Sequence, residues 1–417
     1  MSKTISLLVI GAGGRGSNYC RYAENFPEKA RVLGVAEPRK FYRESLAKKH
    51  EIPAENIFTC WREAAQRERF ADAVMICTQD SMHADPTVAF ASKGYHILLE
   101  KPMATNEVDC RRIVNAVKEA GVIFAVCHVL RYTNFTRKLK ELVESGLIGE
   151  IVSLQHLEPV GYWHQAHSYV RGKWRNEAES SCMLLAKSCH DLDWIRYVVG
   201  KHCLKVSSFG NLKHFRKEEK PTAAADRCLD CTLEPGCPYS AKKIYLGRVG
   251  NGHVGWPVDV LAPVVTEESI TDALRTGPYG RCVYACDNDV VDHQVVNMLF
   301  EGGATANFTM TAFNKHGHRK TSIFGTRGDI YGDGETITHF DFLTDKTQVI
   351  EANKADSSIL GGHGGGDFGL MRNFIEAVAE DDQSRILSGP DETLESHLIV
   401  FATEKARHNS SVEEVIL

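Results

Sequence analysis

The chain has 417 residues, 43% of them hydrophobic, with 49 basic against 54 acidic side chains and a formal net charge of −5. That length exceeds one ordinary hydrophobic core and predicts two domains. Balanced charge leaves no basic stripe for nucleic acid, and no apolar run approaches the ~20 residues that cross a bilayer, so neither nucleic acid nor membrane is an expected partner. Residues 1–10 read as a strand rather than a signal peptide, since Lys3 is the only basic residue there, and the expected location is the cytoplasm. The thirteen cysteines are diluted over this length, and most sit in apolar segments as small hydrophobes.

In chain order, residues 6–10 predict a buried strand, followed by Gly11-Ala12-Gly13-Gly14-Arg15-Gly16 at the start of a helix. Gly11, Gly13 and Gly16 occupy the three slots of a G-x-G-x-x-G fingerprint. There the first glycine permits the turn, the second admits a pyrophosphate, and the third lets helix and strand pack closely. Gly14 and Arg15 offer further N–H groups at the helix N-terminus, where the dipole favours anions. A second strand over 31–36 ends at Glu37, about 20 residues on, where a carboxylate accepts hydrogen bonds from a ribose. Glu37 favours NAD, and Arg39, two residues later, keeps NADP open. Further strands are predicted over 73–78, 96–100 and 122–126. Between them a helix carries Ile113, Ala116, Val117 and Ala120 and stops at Gly121. This alternation predicts an α/β dinucleotide-binding (Rossmann) domain over 1–130, with a parallel sheet.

After a helix with Phe135, Leu139, Leu142 and Val143 on one face, the pattern changes. A long strand is expected over 151–159 and a helix over about 183–199. Antiparallel hairpins follow from 290, with 301–303 as a turn. Residues 131–417 therefore read as an α+β domain with a large open, mainly antiparallel sheet. Within it, about 212–285 form a polar, Cys-rich insertion. Cys228, Cys231 and Cys237, joined by Cys282, suit a structural zinc staple, with Cys286 in reserve. Ordinary reduced thiols are the other reading.

The fingerprint, Cys77-Thr78-Gln79-Asp80-Ser81-Met82-His83, Glu100-Lys101-Pro102 and Ser188-Cys189-His190-Asp191-Leu192-Asp193 occur in that order. Together they resemble the glucose–fructose oxidoreductase/inositol dehydrogenase (Gfo/Idh/MocA) family, over nearly the whole chain except the insertion. The resemblance implies NAD(P)-linked oxidation or reduction of sugars, polyols or their derivatives. It also implies a cis bond at Pro102, and an open sheet with substrate on one face and subunit contacts on the other. A homodimer or homotetramer is expected.

Lys101 is the leading catalytic residue, because a buried lysine at a strand end can share a hydroxyl proton near neutral pH. His190 is the second, relaying that proton. Lys187, three residues earlier on the expected helix, projects from a similar face. The family pattern has an aspartate four residues before the histidine; here that slot is Ala186, and Lys187 takes part of its role. Thr78, Gln79, His83 and Glu100 are expected along the nicotinamide half of the cofactor. His128, Arg131 and Tyr132 are expected to line the substrate cleft, although Arg131 also suits a domain-interface ion pair. Tyr162, Trp163, Arg171 and Trp174 form an aromatic and basic loop suited to a carbohydrate, a loop folded over the barrel end or a subunit contact being the other reading. His363, before a glycine turn, is expected to reach substrate. The leading reading is an NAD-dependent sugar or polyol oxidoreductase. The alternatives are a glycosidase or lyase that oxidises the sugar only transiently, and a cofactor-binding sensor, which would have no use for Lys101.

Overall fold

The computed structural model describes residues 3–352 and 362–417, excluding the His363 side chain. Six strands form one sheet: β1 (Ile5–Ile10), β2 (Ala30–Ala36), β3 (Ile57–Phe58), β4 (Ala73–Ile76), β5 (His96–Leu99) and β6 (Phe124–Val126). Their order is β3-β2-β1-β4-β5-β6, and every pairing is parallel. Strands β1, β4 and β6 are buried throughout, which is why they read as continuous apolar runs. The strand order reverses between β1 and β4. The carboxyl ends of these strands frame the crevice where such sheets bind ligands.

Nine strands form the second sheet: β7 (Ile151–Pro159), β8 (Cys203–Asn211), β9 (His293–Phe300), β10 (Thr305–Thr311), β11 (Lys320–Gly325), β12 (Gly328–Gly332), β13 (Thr336–Asp341), β14 (Lys346–Glu351) and β15 (Val412–Glu414). The order is β14-β13-β12-β11-β7-β10-β9-β8-β15, antiparallel except for the β7–β10 pair. Side chains alternate along β9 and β10. The inward face packs Leu154, Val296, Phe308, Ile323 and Ile330 against Leu192, Ile195 and Ile399 of two helices. The outward face leaves Val152, Phe209, Tyr331 and Val349 exposed.

The helix expected over 183–199 is broken into Met183–Ala186 and Cys189–Val199. A later helix, Gly366–Glu380, returns to the first sheet and packs Leu370, Met371, Phe374 and Ile375 into the same core as Leu7, Val9 and Leu98.

The insertion carries a hydrophobic core of its own. Phe215, Tyr239, Ile244, Tyr245, Val258, Ile270 and Leu274 cluster there, closed by Ala166, Val170 and Ala312. Among the described residues, no group of three or more His, Cys, Asp or Glu side chains is placed to hold a metal ion. The zinc staple expected at Cys228, Cys231, Cys237 and Cys282 is corrected accordingly. The Cys228 sulfur lies 3.5 Å from Arg171 Nη2, and the reserve thiol of Cys286 points at the Cys282 carbonyl at 3.3 Å. The segment packs around scattered aromatics, which leave no periodic trace in the sequence.

Phe215→Ala is expected to cost about 3–5 kcal/mol, the usual loss for a truncated buried phenylalanine. Urea unfolding of the intact chain measures it. A loss below about 1 kcal/mol would mean that this cluster does not hold the segment.

Candidate active site

At the end of β1 the glycine turn is shaped by what a side chain would strike. A Cβ on Gly11 (φ +93°) would stand 2.5 Å from the Cys77 carbonyl, and one on Gly16 would stand 2.1 Å from the Gly11 carbonyl oxygen. A Cβ on Gly14 would meet nothing within 4 Å, so backbone here is open to a ligand. The following helix, Gly14–Asn25, has no side chain capping its N-terminus, so its first N–H groups and dipole are offered outward. This geometry fits a dinucleotide pyrophosphate.

Glu37 sits at the end of β2, buried, and accepts from the Ala12 N–H at 2.9 Å and from Arg39 Nε at 2.8 Å. Burial alone would raise its carboxyl, but the Arg39 hydrogen bonds hold it below the usual carboxylate range. Glu37 therefore braces the glycine turn itself, a role the spacing does not reveal. Arg39 reaches back over that turn, with Nη2 3.3 Å from where a Gly13 Cβ would stand.

The Arg15 guanidinium is committed to protein, while its backbone N–H stays at the open helix N-terminus. Nε donates to Glu100 at 2.6 Å, Nη2 to Asp367 at 2.6 Å, and Nη2 also to the Tyr19 hydroxyl. It joins the glycine-turn helix to the Gly366–Glu380 helix. Glu100 also accepts from Tyr19 at 2.8 Å and from the Lys101 backbone N–H at 2.7 Å.

The Lys101–Pro102 bond is cis. Lys101 Nζ donates to the Ala186 carbonyl at 2.8 Å. The helix break after Ala186 brings this carbonyl to the lysine, at the position where the family pattern has an aspartate. The break also removes the helical-face argument for Lys187, yet Lys187 remains beside the site. Its Nζ lies 3.3 Å from Glu158 on β7. Burial pushes its ammonium down in pKa, with Glu158 opposing. Arg319 bridges Glu158, at 2.8 Å, to Asp191. Asp191 also meets His156 Nε2 at 3.2 Å. Burial would raise the Asp191 carboxyl, but Arg319 and His156 hold it well below the usual range.

His190 opens the Cys189–Val199 helix, buried, with its ring 5.7 Å edge-on from that of His128. His128 is not a cleft residue. It is fully buried, and neither ring nitrogen has a hydrogen-bond partner. Its Nδ1 lies 3.6 Å from Asp193. Arg131 and Tyr132 are corrected too. Arg131 is buried in a two-pronged pair with Asp193 at 2.8 and 2.7 Å, the interface alternative noted above. The Tyr132 hydroxyl bonds Ser388 Oγ at 3.0 Å and accepts from the Leu387 N–H at 2.9 Å.

His83 bonds the Pro102 carbonyl at 2.8 Å and so clamps the loop after β4 to the Glu100-Lys101-Pro102 turn. Thr78 and Gln79, half-buried and exposed, precede it on that loop. Trp174 donates Nε1–H to Asp80 at 3.0 Å and spans from one half to the other. Arg171 is withdrawn from the predicted carbohydrate loop. It is buried and donates to the carbonyls of Arg281 and Tyr239. Tyr162 is exposed and Trp163 half-buried. His164 and His316, with ring centroids 5.5 Å apart, complete this wall. The His363 side chain lies outside the described residues.

An oxidoreductase-family profile described as an NAD-binding Rossmann fold matches residues 5–128, and its partner, a C-terminal alpha/beta domain, matches 140–413. The chain belongs to the Gfo/Idh/MocA oxidoreductase family. Within it, the chain is 29% identical over 207 residues to 2,7-anhydro-N-acetylneuraminate hydratase of Escherichia coli K12, covering 49% of this chain and 53% of that protein. It is 29% identical over 143 residues to myo-inositol 2-dehydrogenase of Thermotoga maritima, covering 34% and 40%. The matched stretch thus spans about half or less of these relatives. Levoglucosan dehydrogenase in complex with NADH superposes with a TM-score of 0.72 at 18% identity, over 99% of this chain and 100% of that one, a likeness of fold. Among the described residues no helix is long and apolar enough to cross a membrane.

Around this family's site the imidazoles set a pH limit. Burial pushes His128 down to about 3 and His397 to about 4. Between those values and the unfolded value near 6.5, the unfolded chain binds protons that the folded chain refuses, so stability falls as pH drops. From pH 6.5 to 5 each histidine is expected to remove roughly 2 kcal/mol. Urea midpoints at pH 7 and 5 test this, with His128→Leu giving a shallower decline. Equal stability at the two pH values would contradict the burial of both rings as neutral groups.

Proposed function

We propose that the chain is an NAD-dependent oxidoreductase moving a hydride between nicotinamide and a hydroxyl-bearing carbon of a sugar, polyol or glycoside. Residues 1–130 hold the nucleotide and 131–417 the substrate. The observation that carries the reading is Lys101: an ammonium at the end of β5, fixed by a carbonyl of the other half, beside the glycine turn. Gly11, Gly13, Gly14 and Gly16 cradle the pyrophosphate. Arg39, held by Glu37, meets the adenosine ribose, and Thr78, Gln79 and Glu100 border the nicotinamide end. When bound, NAD supplies the hydride acceptor or donor.

The chain's own residues manage the oxygen and its proton. Lys101 Nζ donates to the reacting oxygen and stabilises its developing negative charge. His190 takes the hydroxyl proton on a ring nitrogen. Lys187, its proton loosened by burial, orients a neighbouring hydroxyl and is itself held by Glu158. Relatives named for inositol and levoglucosan oxidation support a small carbohydrate substrate. All thirteen cysteines are free thiols, which suits the cytoplasm. The exposed apolar side chains on the outer face of the second sheet suit pairing with further copies.

The hydratase relative favours a second reading, turnover with no net redox change. Lys101→Ala is expected to lower kcat by about 10²–10⁴-fold in an assay that follows NADH absorbance and sugar consumption together. Undiminished turnover would remove Lys101 from the chemistry. Sugar consumed without matching NADH in the parent protein would select the redox-neutral reading.

A further inference from the structure

The insertion does more than pack on itself. It delivers one large aromatic side chain, Trp256, to the wall of the proposed substrate cleft. Trp256 is 43% exposed, although the next two residues, Pro257 and Val258, are buried as the segment re-enters the insertion core. Its ring centroid lies 5.1 Å from Trp163, 5.0 Å from His164 and 5.5 Å from His167. His253 Nε2, 2.9 Å from the Trp256 carbonyl, fixes the turn that presents it. From the same insertion, Arg248 lays its guanidinium 4.3 Å over the Trp163 ring.

Trp256 touches His164, whose Nδ1 is shielded from solvent and has no hydrogen-bond partner. The charge on Lys187 is felt at both His164 and His316, and Lys187 adjoins the Ala186 carbonyl that holds Lys101. Outward lie the exposed side chains of Tyr162 and His316. The ring of Trp163 is tilted 52° to Trp256 rather than stacked on it, so the two rings do not cover each other face to face.

A wall with Trp256 and Tyr162 exposed, and with a guanidinium laid over the half-buried Trp163, suits a carbohydrate. Sugar rings present C–H faces that lie on indole and phenol rings, and equatorial hydroxyls or a carboxylate that accept from arginine. A monosaccharide reacting at Lys101 would not need a platform that extends past Lys187 to another segment of the chain. We propose that Trp256, with Tyr162, Trp163 and Arg248, forms a distal sugar subsite, and that the substrate is a glycoside whose second ring rests there while the first meets Lys101. This assignment rests on the oxidoreductase reading above.

The test measures binding as well as turnover. Tryptophan fluorescence is titrated with glucose, cellobiose, galactose and lactose on the full chain, with and without NAD, and NADH formation is recorded separately. The unmodified protein is expected to bind at least one disaccharide about ten-fold or more tighter than its monosaccharide. Trp256→Ala is expected to weaken disaccharide binding at least ten-fold more than monosaccharide binding. Trp256→Phe retains a ring and is expected to keep part of the preference, which separates lost stacking from a disordered insertion. Equal weakening of both sugars by Trp256→Ala, or no disaccharide preference in the parent protein, overturns the subsite. A disaccharide preference lost in Trp256→Ala but accompanied by no NADH upholds the subsite and sinks the oxidoreductase reading instead.

Discussion

Two fully buried charges tie the two halves of the molecule together. Arg131 leaves the first sheet just after β6, and Asp193 sits on the helix that carries His190. Their two-pronged contact is reinforced by Ser396 Oγ, which donates to Asp193 at 2.6 Å, and by the Leu387 carbonyl, which accepts from Arg131. Burial would raise the Asp193 carboxyl, but Arg131 holds it below the usual carboxylate range, so the aspartate stays charged. Removing either partner would strand the other charge in the interior, a loss of about 3–5 kcal/mol. The pair contacts no proposed ligand. It ties the helix that carries His190 to the half that carries Lys101.

Around this anchor the site is built from alternating charges. Lys187, Glu158, Arg319, Asp191 and His156 form a continuous run from one strand to the first turn of the helix that carries His190. Each carboxylate has a cation, so neither is left to draw Lys101 away. Lys101 is tied instead to a neutral carbonyl, which orients an ammonium without neutralising it. The absent aspartate at position 186 is thereby compensated by backbone, and the lysine next to it occupies the vacated side.

Much of this was legible in the sequence where the determinant is local. The glycine turn, the apolar strands β1, β4 and β5, the Glu100-Lys101-Pro102 turn and the long strand β7 depend on residues adjacent in the chain. What escaped depends on partners far apart. Nothing near Arg131 announces Asp193, and nothing near Tyr132 announces Ser388. Arg15 belongs to a helix whose sequence suits phosphate binding, yet its guanidinium meets Asp367, more than three hundred residues away. The break between Ala186 and Cys189 comes where the good helix formers Leu184, Leu185, Ala186 and Lys187 give way to the weaker Ser188 and Cys189, a local signal masked by the apolar pattern on either side. The insertion conceals its core because its apolar residues serve turns and short helices, which have no period to detect.

The returning helix Gly366–Glu380 has a consequence for how the molecule comes to be. Its apolar side fills a seat in the nucleotide-binding core beside Leu7 and Val9, and its first turn holds Arg15. A nascent chain that has emerged only as far as residue 130 already contains every strand of the first sheet, but it still shows water the bare seat that this helix will cover. The nucleotide half thus waits for residues 366–380 before it is finished, and the order of synthesis runs opposite to the order of completion.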